Sequence, residues 1–331
     1  MNDTELQQLL HARGLMTDAP HTESEAAADT HERPLAIGLL LGLSGWVAGV
    51  FVLLLVALLF RPTDAGAAAV LGLLLLASAW GLFKVDDDRG QLFVSQLALA
   101  LSIAGQCLML YAMSEHAHGL ARIAATALAL QAVLAFVMPN RLHRTLCTLF
   151  ATIAWALTLR FALFGEPGFW HADTTVRSTS TASALTGWAF AWLPVGAGLA
   201  WLIRSEPRWM ARGWQPLLRP VASGLIIGLA FATLASQPIE SFRWFGSGEV
   251  EVGGLALWPL LSALGALGAV AAAFALRQRA LMGVCVVAAL LHVSHFYYAL
   301  GTSLLVKSLL MAAMGGVMLL AVRTLAHKET A

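Results

Sequence analysis

The sequence predicts an all-α fold: a polytopic integral membrane protein, built as a helical bundle of about ten transmembrane helices with both termini in the cytoplasm. Three observations support this prediction. Of the 331 residues, 59% are hydrophobic and only 12% are charged, whereas a soluble domain carries about 25% charged residues. Long apolar runs alternate with short polar connections along most of the chain. Lys and Arg are concentrated in every second connection.

Each apolar run is a candidate membrane helix because about 20 residues at 1.5 Å per residue cross the hydrocarbon of a bilayer. The run that begins at Leu35 is too long for the apolar part of a signal peptide, so we expect it to remain as a membrane helix. The predicted spans are 35–60, 65–83, 91–113, 118–137, 145–164, 184–203, 221–236, 254–276, 281–300 and 303–323.

The orientation is predicted from the cationic residues. If the ten spans alternate, fourteen of the 20 Lys and Arg residues lie on the side of the amino terminus. Cytoplasmic connections carry the excess of Lys and Arg, so this side is expected to be the cytoplasm. The six residues expected on the outer side are Arg61, Arg122, Arg160, Arg177, Arg243 and Lys307.

The composition divides the chain into three regions. Residues 1–34 contain seven acidic residues against Arg13 and Arg33, and are predicted to form a cytoplasmic tail. Residues 35–323 form the predicted transmembrane domain, and residues 324–331 form a short cytoplasmic carboxyl-terminal tail. A short amphipathic helix in the first tail is predicted from apolar residues at near-helical spacing, namely Leu6, Leu9, Leu10 and Met16.

The net charge and the cysteine positions argue against nucleic-acid binding and against disulfide bonds. The net charge of +1 gives no reason to expect a nucleic-acid partner, because that binding requires clustered cationic surface. Cys107, Cys147 and Cys285 all lie inside apolar runs. We therefore expect buried, unreactive thiols rather than disulfides.

Glycines at four-residue spacing predict close helix packing. Small residues allow helix backbones to approach each other in lipid, where no hydrophobic force drives helices together. We expect packing within the chain, with dimerisation as the alternative. The glycines at this spacing are Gly38, Gly42, Gly45 and Gly49 in the first span, and Gly224 and Gly228 in the seventh.

The third span carries a stripe of polar residues. Ser95, Ser102 and Gln106 fall within roughly 40° of one another at 100° per residue. This stripe is expected to face protein or a wet cavity rather than lipid. Interhelical hydrogen bonding is the expected role, and the lining of a substrate path is the alternative.

A second polar group lies in the stretch HVSHFYYALGTSLLVKSLL near the end of the chain. His292, His295 and Tyr298 share a broad face of the ninth span, and a tight turn would place Lys307 at the same depth as His295. Ionisable residues inside a membrane are costly and therefore mark candidate functional sites.

No cofactor, metal site or catalytic residue is predicted for this cluster. A catalytic metal site needs at least three protein ligands, and His292 with His295 supplies two, without an Asp or Glu in any predicted helix. A proton relay would suit histidine, and a desolvated Lys307 could act as a nucleophile, but neither has an acidic partner or a catalytic motif beside it. We expect a polar clasp, with Lys307 held against the ring of Tyr297 or Tyr298.

Four blocks of the sequence carry a family resemblance: TELQQLL, GLSGWVAGVFVLL, VDDDRGQLFVSQLALALSIAGQ and FYYALGTSLLVKSLLMAAMGGVMLL. They resemble a bacterial inner-membrane family known only as a domain of unknown function. Members of that family are often encoded beside a second membrane protein that is named for its GDYxxLxY motif. The resemblance implies a multi-pass protein of the bacterial inner membrane and a membrane-protein partner, and it implies no activity or catalytic residue.

Three functions are consistent with the sequence. The first is a subunit or scaffold of a membrane complex, with the lipid bilayer and a second membrane protein as its partners. The second is a transporter or channel for a small solute, with the polar stripe and the terminal cluster on its path. The third is a membrane-embedded enzyme. Transporters often contain internal repeats with matched broken helices, and the sequence offers no convincing pair of such segments.

Overall fold

The computed structural model confirms that the fold is all-α over the residues that it describes. These residues are 35–60, 64–87, 92–115, 117, 119–164, 181–231, 257–299 and 303–309, with scattered positions from 312 to 319. Residues 304–309 are also helical and lie within the tenth predicted span. The longer helices are α1 Leu35–Phe60, α2 Ala65–Asp87, α3 Leu92–Ser114, α4 Leu120–Val137, α5 Arg141–Phe164, α6 Thr181–Ala211, α7 Gln215–Phe231, α8 Leu257–Ala275 and α9 Arg279–Ala299.

The described helices have the length and composition of membrane helices. Helices α2 to α6 are long and apolar enough to cross a bilayer, and α1, α7, α8 and α9 contain apolar stretches of 10 to 17 residues. Large apolar side chains also face outward along these helices, as on α1, where the exposed residues include Leu40, Leu43, Val47, Val50, Leu54 and Leu58. Such a surface suits lipid rather than water.

Two apolar cores meet at α5. The first lies among α2, α3, α4 and the beginning of α5, and contains Phe83, Leu134 and Cys147. The second lies among α5 to α9, and contains Trp192 and Ile226. Helix α5 contributes to both, so its position determines how the two halves of the bundle are joined.

Glycines lie at the closest helix contacts. Gly45 and Gly49 of α1 face α3, where a Cβ on Gly45 would lie 2.7 Å from Gln96 Cβ and a Cβ on Gly49 would overlap Ala100. In α7, a Cβ on Gly228 would lie 2.7 Å from Thr152 Cβ of α5. These glycines, and Gly224 of α7, pack within the chain. The surroundings of Gly38 and Gly42 lie outside the described residues.

A further glycine contact was not predicted. Gly72 of α2 and Gly105 of α3 face each other, and a Cβ on either residue would lie within 2.9 Å of the other's carbonyl oxygen. Neither glycine has a partner at four-residue spacing, so no G-x-x-x-G pattern predicted this contact. The α2–α3 contact therefore depends on one small residue from each helix.

The structure extends two of the predicted spans and corrects one prediction about cysteine burial. Helices α2 and α6 continue past their apolar runs, so acidic residues do lie in helices: Glu206 is in α6, and its Oε1 is 3.2 Å from Arg219 Nη2 of α7. Hydropathy detects the part of a helix inside lipid but not the turns beyond it. Cys107 is exposed on α3, whereas Cys147 and Cys285 are buried as expected. An apolar run in a membrane protein has lipid-facing positions as well as buried ones, so its thiols need not be buried.

Candidate functional site

The candidate site is built on the short connection between α4 and α5. Asn140 precedes α5, and its Oδ1 accepts a hydrogen bond from the backbone N–H of His143 at 3.1 Å, which caps the first turn of the helix. The Nδ2 of Asn140 donates to Ser95 Oγ of α3 at 3.3 Å. One side chain thus fixes the start of α5 against α3 and directs the His143 side chain into the bundle.

His143 is at the centre of a buried hydrogen-bonded chain. Its Nε2 is 2.6 Å from Ser102 Oγ, and Ser102 and His143 are 0% and 1% exposed. Gln106 Nε2 donates to Ser102 Oγ at 3.2 Å, and Gln131 Nε2 of α4 donates to Gln106 Oε1 at 2.8 Å. On the other side of the imidazole ring, Cys147 Sγ lies 3.4 Å from His143 Nδ1. We call these five residues, with Ser95 and Asn140, the α3–α5 network.

The hydrogen bonds of this network can all run in one direction. Because the Gln106 amide donates to the Ser102 oxygen, the Ser102 hydroxyl proton is available for His143 Nε2. A neutral imidazole then carries its proton on Nδ1, on the side of Cys147. Donors and acceptors that point the same way polarise one another and strengthen the chain. The network therefore connects α4, α3 and α5 without requiring a charged group.

The Ser102–His143 pair resembles a nucleophile with its base, but its surroundings favour packing over catalysis. Both side chains are fully enclosed by protein, and a nucleophile must reach its substrate. Two cavities described below have no network residue in their walls. Buried polar groups of this kind are commonly interhelical bonds in membrane proteins. Gln131 Oε1 is buried without a partner among the described residues, so the network ends there at an acceptor.

The sequence predicted the α3 residues of this network but not His143 of α5 or Gln131 of α4. The stripe of Ser95, Ser102 and Gln106 lies against α4 and α5 in the structure. His143 was missed because Arg141 and Arg144 suggested a loop, and the predicted span began at residue 145. Gln131 could have been identified as a candidate from the sequence, because it is the one amide side chain in its predicted span.

The two described members of the predicted terminal cluster, His292 and Lys307, make different contacts. His292 is buried, and its Nε2 is 2.7 Å from the carbonyl oxygen of Ala230 in the last turn of α7. A carbonyl oxygen only accepts, so the His292 ring donates this hydrogen bond and connects α9 to α7. Lys307 Nζ lies 5.1 Å from the centre of the Tyr297 ring. The side chains of His295 and Tyr298, also in the predicted cluster, lie outside the described residues.

We expect His292→Leu to lower the free energy of unfolding by about 1 to 2 kcal/mol, because it removes a buried hydrogen bond between α9 and α7. We expect Lys307→Met to lower it by about 0.5 to 1 kcal/mol through loss of the ring contact. Unfolding by dodecyl sulfate in mixed micelles measures both changes. Since the two contacts are separate, the double variant should show the sum of the two effects. A large coupling between them would contradict the separation.

Metal binding receives no support from the residues that the structure describes. Among them, no three His, Cys, Asp or Glu side chains are grouped closely enough to hold a metal ion. The described part of the terminal cluster supplies His292, whose Nε2 is engaged by a carbonyl oxygen.

Comparison with known proteins identifies the family. Residues 34–246, more than half of the chain, match the family described as a domain of unknown function, DUF4401. No curated protein matches the chain, and no solved structure does so. The match covers α1 to α7, and with them the whole α3–α5 network. Five of the described helices are long and apolar enough to cross a membrane. The chain belongs to the DUF4401 family.

Proposed function

We propose that the chain is a ten-span protein of the bacterial inner membrane, with both termini in the cytoplasm, and that it acts as a scaffold subunit of a membrane complex. Its partner is a second membrane protein, which contributes a transmembrane helix to the contact. The uneven distribution of Lys and Arg supports the orientation. The observation that carries the proposed role is a groove between α1 and α2.

This α1–α2 groove exists because α1 packs mainly against α3. Gly45 and Gly49 bring α1 onto α3, and Trp46 Nε1 donates to Gln96 Oε1 of α3 at 3.0 Å. A space of about 380 Å³ remains beside this contact. Its walls include Trp46, Val50, Leu71, Ala100, Ala104 and Cys107.

The groove has the properties of a helix-binding surface. Its floor includes Ala100 and Ala104, and small residues let another helix approach closely. Its edges include Trp46 and Val50, which supply large apolar surface for contact. Without a partner, α1 would be held to the described bundle chiefly by one face, and the other faces would meet lipid. A helix from a second protein would complete the packing of α1.

A transport role is less well supported by the geometry. The buried polar groups that could line a solute path belong to the α3–α5 network, and the groove contains none of them. The groove is instead apolar and open to the side, which suits a lipid-embedded helix.

Photo-crosslinking tests the proposal directly. Val50 lies in the groove and is 60% exposed, whereas Val133 of α4 lies outside it and is 58% exposed. With p-benzoylphenylalanine at position 50, irradiation of native membranes should give one adduct of discrete larger mass. The same probe at position 133 should give none. Lipid adducts alone at position 50, or identical protein adducts at both positions, would overturn the proposal.

A groove-filling variant provides a second measurement. Cys107→Trp adds bulk at an exposed position in the groove and removes no buried core atom. It should abolish the protein adduct formed at position 50 and leave thermal stability unchanged. Val133→Trp, which adds the same bulk elsewhere, should retain the adduct. If Cys107→Trp keeps the adduct at full yield, the partner does not occupy this groove.

A further inference from the structure

A second cavity lies at the end of the bundle where α2 and α4 begin and α3 ends. It is a wide, open depression of about 670 Å³ and is separate from the α1–α2 groove. Alanine and methionine side chains form most of its wall, including Ala69, Met109, Met113 and Ala125. Among the described residues that line it, Arg122 is the one with a charge. The cavity is therefore apolar along the helices and cationic at one point of its mouth.

A carboxylate stands at the same mouth. Asp64 Oδ1 accepts a hydrogen bond from the backbone N–H of Ala67 at 2.7 Å, which caps α2. Gly66 lines the cavity, and a Cβ on it would lie 3.2 Å from the same carboxylate oxygen. Within the described part of the chain, Asp64 and Arg122 do not form an ion pair with each other. Opposite charges thus lie close to this cavity without neutralising each other.

The position of the cavity suits a membrane lipid. Its mouth lies at the ends of three apolar helices, which is the level of the lipid headgroups. Its wall follows α2 and α3 toward the hydrocarbon, and methionine adapts its shape to flexible apolar ligands. The volume lies within the usual range of about 300 to 1,000 Å³ for small-molecule sites.

We propose that this cavity binds one phospholipid whose headgroup carries a phosphate and a primary ammonium, as in phosphatidylethanolamine. The Arg122 guanidinium binds the phosphate, since its planar donors match phosphate oxygens in pairs. The Asp64 carboxylate accepts hydrogen bonds from the ammonium, which has three N–H donors. One acyl chain lies along Met109 and Met113. A quaternary ammonium has no N–H donor, and an anionic headgroup would meet Asp64 with like charge. This site is independent of the proposed scaffold role.

Lipid binding to the delipidated full chain in detergent, counted by native mass spectrometry, tests the proposal. Phosphatidylethanolamine should bind about fivefold more tightly than phosphatidylcholine or phosphatidylglycerol of the same acyl chains, the preference that one exposed ion pair can supply. Asp64→Asn keeps a capping side chain and should reduce phosphatidylethanolamine binding to the level of phosphatidylcholine. Arg122→Gln should weaken the binding of all three lipids.

Two matched variants locate the effect. Glu115→Gln removes another exposed acid near the end of α3 and should leave the preference unchanged, and so should Arg204→Gln on α6. Ala69→Leu fills part of the cavity and should weaken the binding of every lipid. Equal binding of the three lipids by the unaltered chain would overturn the proposal. So would loss of the preference in Glu115→Gln while Asp64→Asn retains it.

Discussion

Replacing His143 with alanine is expected to lower the free energy of unfolding by about 2 to 3 kcal/mol, the largest effect of any single change in the α3–α5 network. The change leaves the Ser102 hydroxyl without its 2.6 Å partner and removes the imidazole nitrogen that lies 3.3 Å from Gln106 Nε2. It also empties the space that the imidazole ring fills against Phe83, whose ring centre is 5.6 Å away. Dodecyl sulfate titration in mixed micelles measures the loss.

A double-mutant cycle separates the hydrogen bond from the lost volume. Ser102→Ala alone should cost about 1 kcal/mol, and its effect should be much smaller when His143 is already alanine. His292→Leu, in the other half of the bundle, should instead add independently to His143→Ala. Phe136→Ala at an exposed position of α4 provides the control for loss of a large side chain. If Phe136→Ala costs as much as His143→Ala, the network does not stabilise the bundle.

Gly224→Ala is expected to destabilise the protein by about 1 to 3 kcal/mol, because it overpacks the contact between α5 and α7. The added Cβ would lie 2.6 Å from both the Thr145 carbonyl oxygen and Thr148 Cβ. A backbone oxygen cannot rotate away, so the two helices must separate. Since α5 joins the two cores, this separation disturbs the packing on both sides. The shift in the unfolding midpoint measures the effect.

Glycines in open positions provide a control of opposite sign. A Cβ on Gly268 of α8 or Gly283 of α9 would meet nothing within 4 Å among the described residues. Alanine is favoured over glycine inside a helix by about 0.5 to 1 kcal/mol. Gly268→Ala and Gly283→Ala should therefore be neutral or stabilising. Destabilisation of the same size at all three positions would show that the α5–α7 contact does not depend on a missing Cβ.

Much of the fold could be predicted because a bilayer imposes a length on each helix. The observed ends of α3 at Ser114 and of α4 at Val137 lie within one residue of the predicted spans. The predicted boundaries were wrong where a helix extends beyond its apolar run. Helix α6 continues to Ala211, and helix α7 already begins at Gln215. The site followed the same pattern. Polar residues inside an apolar run could be identified from the sequence. His143 could not, because it lies between Arg141 and Arg144 and outside the predicted span.

The sequence by itself determined that this is an all-α protein with helices long and apolar enough to cross a membrane, which family it belongs to, and that Ser95, Ser102 and Gln106 share one face of a helix. Only the tertiary structure decided which helices those faces meet. It placed Ser102 against His143 of α5, and it placed His292 against Ala230 of α7. The physical reason is that periodicity encodes an angle around one helix axis. In lipid, where nearly every face is apolar, that angle does not identify the neighbouring helix.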